Sequence, residues 1–587
     1  MRSVSSGVMA PSMTMNPSAS SSSSRCAMSP MRAPYPRPVS RPEPWITQPR
    51  APRQREFGPR SSWCYTRGRS CSAHTWDHPP MNTTPARPNI LIVTTDQQRT
   101  DSLSCYGSEF TSTPNIDRLA SEGVRLDRAY CTNPVCTPSR VSIFTGKQVS
   151  RHGAWNVGTH YAADERMVSH ILRDAGYRTH YIGKAHFQAF GGDDSRSREH
   201  SARWSSGYDG WTGPYYGFDT VELALGHATY GISGHYGEWA RERAGADAVE
   251  GWKRATNLCE ASFGGNAFDW DMPVEFHNST WTADRAIAFL RGHATSRPFL
   301  LSVGFQDPHH PHCVPVEQTD RVSPDDVPLP DFEPGELDDK PPHFLEAHEG
   351  RLESSAMRGE YPMAGQGSGC DYRLVSERDA RLGRAYYHSM VKLIDAQLGR
   401  ILDALDELNL ANDTLIVFTS DHGELLGDHG LWMKGPFHYE QLVRVPAIWR
   451  WPEGIAGGRA VDGLFSLADI APTCLAAARV AVPDDMDGVD ALPLLTGREA
   501  TVRDAALVEM VDNPDTLRLK TVVTADRKLT WYAGQPYGEL YDLERDPGEK
   551  TNRWDDQDYS ADRSELLGRL LDMGESIEPR LRRHCYA

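Results

Sequence analysis

The sequence predicts an α/β protein: a large domain with a mostly parallel central sheet flanked by helices, then a small C-terminal α+β domain with an antiparallel sheet. Three observations carry this expectation. From residue 88 onward, short β-branched runs alternate with amphipathic helical patterns. Four of those runs are followed at once by acids, histidines or lysines, which is where ligands collect beyond the carboxyl ends of parallel strands. After about residue 500 the alternation gives way to "LRLKTVVTADRKLTWYAG" and "GELYDLERDPGEKTN", which read as antiparallel hairpins.

In chain order, the first strand is expected over Asn89 to Thr95 and a helix over Pro114 to Glu122. A helix over Val168 to Ala175 leads to a strand over Thr179 to Ile182, and a helix around Asp284 to Gly292 leads to a strand over Phe299 to Phe305. A long helix is expected near Val391 to Leu408, because Ile394, Leu398, Ile401, Leu402 and Leu405 form one apolar stripe. A strand over Thr414 to Thr419 follows, and Ser564 to Ile577 read as a closing helix. The stretches Gln188 to Trp281 and Val316 to Glu377 interrupt this rhythm with Gly, Pro, Trp, Tyr and His, as loops that line or cover a site do.

Composition sets the boundaries. The 587 residues are 39% apolar and 24% charged, as in globular chains. No apolar run approaches the roughly 18 to 20 residues of a membrane span. Residues 1–80 differ: a serine run, 13 prolines, 11 arginines, no lysine and three acids predict disorder. This leader reads as a transit peptide, as a basic arm, or as a segment absent from the native protein if translation starts at Met81. Its charge of +8, against −17 for the whole chain, leaves −25 on the remainder, which argues against nucleic acid or anionic membrane as partner. Eight of 11 cysteines follow residue 80 without regular spacing, which reads as reduced thiols. No signal-peptide apolar core follows Met1 or Met81, so the expected location is the cytoplasm. The expected domains are 1–80, 81–500 and 501–587.

The chemistry sits at the strand ends. Asp96 and Gln97 follow the first strand, Lys184 and His186 the second, His309 the third, and Asp421 and His422 the fourth, with Lys434 close behind. Asp96, Gln97, Asp421 and His422 offer two carboxylates, an amide oxygen and an imidazole, a shell suited to one divalent cation. Arg140, Lys184 and Lys434 bring positive charge to an otherwise acidic protein, and His186 and His309 suit proton transfer. "DPHHPHC" alone suggests zinc ligation by His309, His310 and His312, although two prolines make joint ligation awkward. Cys136 opens the helical pattern "CTPSRVSIFTGK", where backbone N–H groups attract an anion. It occupies the place of a nucleophile; pairing with Cys131 as a redox couple is the competing reading.

These residues resemble the type I sulfatases of the alkaline-phosphatase superfamily, whose Cys-x-Pro-x-Arg signature is matched by Cys136, Pro138 and Arg140. Thr145-Gly146-Lys147 and Arg151-His152-Gly153 continue the match, and similarity runs from about Pro88 into "LYDLERDPGEKTN". The resemblance implies an alkaline-phosphatase-like fold and oxidation of Cys136 to formylglycine by a separate generating enzyme. One hydroxyl of the aldehyde hydrate attacks sulfur and displaces the alcohol; the other then expels sulfate. It further implies that Asp96, Gln97, Asp421, His422 and modified Cys136 hold the metal, that Arg140 and Lys184 stabilise the hydrate, and that His186 takes its proton. His309 and Lys434 bind the sulfate and assist the leaving oxygen. Many sulfatases carry Asp-Asp and Asp-Asn where this chain has Asp96-Gln97 and Asp421-His422, so manganese or magnesium compete with calcium.

The expected activity is hydrolysis of a small-molecule or saccharide sulfate ester. Phosphonate monoester or phosphate diester hydrolysis on the same site is the alternative, and a non-catalytic binder of sulfated ligands a third reading. No heptad or repeat decides oligomeric state, which leaves a homo-oligomer open.

Overall fold

A computed structural model describes residues 87–191, 197–205, 209–293, 296–351, 370–513 and 516–578. The expected leader, 1–80, lies outside them. The chain parts near Met81, and Asn82 to Ala587 form one compact unit.

Its centre is an eight-stranded sheet. In spatial order the strands are Arg459–Val461, Val124–Leu126, Ala447–Arg450, Thr414–Ser420, Asn89–Thr95, Phe299–Gly304, Arg178–Gly183 and Thr220–Leu225. All neighbours run parallel except those of Ala447–Arg450, which is antiparallel to both. Asn89–Thr95 shows why the sheet is sandwiched: Leu91 and Val93 belong to the core on one face, Ile90 and Ile92 to the core on the other. The first core takes side chains from the helices Asn278–Arg291 and Glu377–Glu407, the second from Cys136–Thr145, Val168–Asp174 and Ile470–Ala477.

The long helix starts at Glu377, 14 residues before its expected start at Val391, with the Ser376 hydroxyl accepting from Asp379 N. Its first half buries Gly383, Arg384, His388 and Ser389, polar or small residues that leave no apolar period to read. The Gln188 to Trp281 stretch is also more regular than expected. It contains the edge strand Thr220–Leu225 and the helices Gly234–Ala244 and Ala246–Trp252. Cys131 and Cys136 are both free thiols.

The C-terminal sheet has four antiparallel strands, Ala506–Asn513, Leu517–Val523, Arg527–Tyr532 and Gly538–Asp542. Leu566 and Leu570 of the helix Ser560–Ser576 pack with Leu507, Val522, Leu529 and Leu540. Met510, Leu517, Leu519 and Tyr532 pack with Val135, the residue before Cys136.

Strand register places the site. Thr95 lies opposite Ser420 and Gly183 opposite Gly304, so Asp96, Asp421 and Lys184 leave the sheet side by side. Gly183 makes this approach possible: its φ is +87°, and a Cβ there would stand 2.0 Å from Gly304 O. Gly183→Ala should therefore cost about 2–5 kcal/mol from combined backbone strain and overpacking, read as a lower urea midpoint.

Candidate active site

The helix Cys136–Thr145 begins at Cys136 and is buried throughout. Asn133 Oδ1 accepts from Val135 N, 2.9 Å, shaping the turn into it, and Ser139 Oγ donates to Asp421 O, 2.6 Å, tying its first turn to the sheet edge. Cys136 Sγ thus lies 3.0 Å from Lys434 Nζ, 3.6 Å from Lys184 Nζ, 3.3 Å from His422 Nε2 and 3.6 Å from Asp96 Oδ1. Burial and the Asp96 carboxylate oppose ionisation of this thiol, but Lys184, Lys434 and His422 outweigh them and hold its pKa well below the usual thiol range.

Arg140 reaches the carboxylates. Its Nε donates to Asp421 Oδ2, 2.7 Å, its Nη2 to Asp96 Oδ2, 3.2 Å, and its Nη1 to Lys184 O, 2.8 Å. Lys184 Nζ contacts both Asp96 Oδ2 and His227 Nε2. Although burial opposes it, Lys184 and Arg140 hold the Asp96 pKa well below the usual carboxylate range.

The donor set fits one divalent cation. Single ligand atoms of Asp96, Cys136, Asp421 and His422 lie within 4.8 Å of one another. His422 Nδ1 donates to Gly423 O, 2.8 Å, which leaves the Nε2 lone pair for a metal. Gln97 Nε2 is held by Glu424, and Gln97 Oε1 is buried with no protein partner. Asp96, His227 and His309 form a second such group, but the Lys184 ammonium already supplies a positive charge between Asp96 and His227.

The histidines divide by partner. His309 Nδ1 donates to His310 O, 2.5 Å, so Nε2 accepts from Lys434 Nζ, 2.7 Å. His312 instead contacts Gly383 O, 3.1 Å, and no metal group among the described residues includes it or His310. The zinc reading of "DPHHPHC" is thereby withdrawn. His186 lines the same pocket as Cys136, with its Nδ1 buried and unpartnered.

Sequence reasoning missed His227. It follows the strand Thr220–Leu225, stacks on His309 with ring centroids 3.6 Å apart, and is bonded through Nδ1 to Tyr230 Oη, 2.9 Å. Burial and Lys184 push its pKa down to about 3, so the ring is neutral. Glu424 was missed as well. The strand-end rule would have found His227 had "TVELAL" been recognised as a strand.

A buried cation-rich pocket around a thiol at a helix N-terminus, placed at the carboxyl edge of an alkaline-phosphatase-like sheet, suits a hydrolase of anionic esters. The sulfatase family model matches residues 88–480, and a second, described as N-sulphoglucosamine sulphohydrolase, C-terminal, matches 427–576. An arylsulfatase of Clostridium perfringens is 29% identical, over 83% of this chain and 94% of its own. An N-acetylglucosamine-6-O-sulfatase of Bacteroides thetaiotaomicron is 26% identical, over 83% and 86%. A crystal structure of the phosphonate monoester hydrolase of Agrobacterium radiobacter shares 28% identity over 84% of this chain and 96% of that one, with TM-score 0.68. The chain belongs to the sulfatase family, within the alkaline-phosphatase superfamily, and is a sulfuric ester hydrolase.

Removing Arg140 would leave two buried carboxylates undercompensated. Arg140→Met should destabilise the metal-free protein by about 3–5 kcal/mol in chemical unfolding, and added divalent cation should restore part of the loss.

Proposed function

We propose that the protein hydrolyses a sulfate ester of a ring-bearing, non-cationic alcohol through a formylglycine made from Cys136 by a formylglycine-generating enzyme. The observation that carries this reading is the setting of Cys136 Sγ: first residue of a buried helix, within 3.6 Å of two ammonium groups, an imidazole and a carboxylate.

Asp96, Gln97, Asp421, His422 and the modified residue 136 would hold the cation, with calcium preferred and manganese or magnesium as substitutes. When bound, it would neutralise sulfate and hydrate oxygens. Arg140 would bridge and align the two carboxylates, and Lys184 would orient the hydrate. His186, whose Nδ1 has no protein partner, would accept the hydrate proton. Lys434 Nζ would donate to the leaving oxygen, with the neutral His309 Nε2 beside it directing that ammonium.

The pocket, about 290 Å³, is walled on one side by Phe190, Leu225 and Tyr230. Among the described residues its one carboxylate away from the metal group, Glu199, accepts from the backbone N–H groups of His186, Phe187 and Gln188 and from Tyr215 Oη. That carboxylate is engaged in shaping the wall, so a cationic alcohol finds no uncommitted counterion among the described lining residues. The volume suits sulfate plus one ring. Cys105, Cys131, Cys136, Cys259, Cys313 and Cys474 are free thiols, which supports a cytoplasmic location.

Phosphonate monoester hydrolysis is the second reading, favoured by the likeness to the Agrobacterium radiobacter enzyme. Protein coexpressed with a generating enzyme should show an aldehyde in place of the thiol in the peptide Ala129 to Arg140 by mass spectrometry. It should hydrolyse sulfate esters faster than phosphonate monoesters, lose activity with EDTA, and recover it with calcium or manganese. Cys136→Ala should lower kcat by at least about 10³-fold. An intact thiol in active protein would refute the formylglycine route, and faster phosphonate turnover would select the second reading.

A further inference from the structure

A second cavity, about 630 Å³, opens between the segment after the helix Val149–His152 and the C-terminal sheet. Trp155 lines it from the catalytic side; Trp531, Arg518 and Lys520 line it from the sheet. Strand geometry puts the last three on one face. Lys520 pairs across the ladder with Trp531, and Arg518 lies two residues before Lys520. Trp531 is 37% exposed, whereas its strand neighbours Thr530 and Tyr532 are 1% and 0% exposed. The fold therefore leaves this indole in solvent rather than using it as core.

The cavity is locally cationic. Glu509 also lines it, but its carboxylate accepts from Ser150 N, 3.0 Å, and Ser150 Oγ, and pairs with Lys520 Nζ, 2.7 Å. Arg518 is exposed, and among the described residues no acid pairs with it. In a chain of net charge −17, a guanidinium left beside two indoles is a site for an anion carried on an amphipathic ring.

The two cavities share a wall. Met510 and Leu519 line the second cavity and belong to one apolar cluster with Val135, which precedes Cys136. Val157 packs on that cluster and also lines the catalytic pocket.

We propose that this cleft is a subsite for a polyanionic saccharide: a sugar unit stacks its C–H face on Trp531 or Trp155 while its sulfate or carboxylate meets Arg518 and Lys520. The inference rests on the sulfatase reading and narrows it, assigning the protein to sulfated oligosaccharides rather than to isolated aryl sulfates. An indole takes the apolar face of a pyranose, and a guanidinium takes a sulfate oxygen pair in bidentate geometry. The catalytic pocket, at about 290 Å³, has room for one ring, so further sugar units require a surface outside it.

The test compares wild type with Trp531→Ala and Arg518→Glu, both at exposed positions. Sulfated hexasaccharides of heparin and carrageenan serve as probes, and 4-nitrophenyl sulfate as the small ester. Calorimetric titration in a Cys136→Ala background should show hexasaccharide binding that either substitution weakens at least tenfold. For whichever hexasaccharide is turned over, KM should rise with kcat little changed, while kcat/KM for 4-nitrophenyl sulfate stays within twofold. Equal hexasaccharide affinity in the variants, no hexasaccharide binding at all, or parallel loss on the small ester would overturn the subsite. If the aldehyde or sulfatase turnover were absent while the variants still lost hexasaccharide affinity, the catalytic reading would fail and the cleft would stand.

Discussion

Two carboxylates buried at the end of a dry sheet are the constraint on which the rest of this structure depends. Asp96 and Asp421 have no exposed surface, and charges so placed persist only with partners. Arg140 bridges both, Lys184 meets the Asp96 oxygen that Arg140 also reaches, and Lys434 Nζ stands 3.0 Å from Cys136 Sγ. Lys184 serves both, pairing with Asp96 and standing 3.6 Å from the sulfur. Compensating two buried carboxylates and gathering positive charge around Cys136 are thus one electrostatic arrangement.

That arrangement needs backbone precision, which several residues outside the ligand set provide. Gly183 lets two parallel strands close without a side chain between them, so Lys184 emerges beside Asp96. Glu199 gathers three successive N–H groups, including that of His186, and so shapes the pocket wall. Glu424 accepts from Leu426 N, 3.0 Å, and from Met433 N, and contacts the Gln97 amide nitrogen, which leaves Gln97 Oε1 uncommitted. Each of these groups acts through geometry rather than by touching a reacting atom.

The C-terminal sheet is bound to the same centre. Glu509 N donates to Thr132 O, 2.8 Å, and Asn133 Nδ2 donates to Glu509 O, 2.6 Å, so the turn that delivers Cys136 is braced by the first strand of that sheet. With Val135 packed on Met510 and Leu519, the sheet supports the start of the helix that begins at Cys136. The second cavity lies on the flank of this same sheet.

Much of this was legible without coordinates. The strands Asn89–Thr95, Phe299–Gly304 and Thr414–Ser420 are continuous apolar runs, because strands buried on both faces need no alternation, and their bounds agree with expectation to within one residue. The residues just beyond them were legible for the same reason: polar groups directly after a buried strand reach the sheet edge. Short strands such as Val124–Leu126 and Arg459–Val461 left no pattern, since three residues carry no period. Sequence alone determined the α/β class, the place of Cys136 at a helix start, and the gathering of Asp96, Lys184, Asp421, His422 and Lys434 at one sheet edge. Only the tertiary structure decided that Arg140 serves the carboxylates, that His312 faces away, and that His227 joins Lys184. Those outcomes depend on register and side-chain direction between segments up to 281 residues apart, as Arg140 and Asp421 are, and no local pattern encodes such distances.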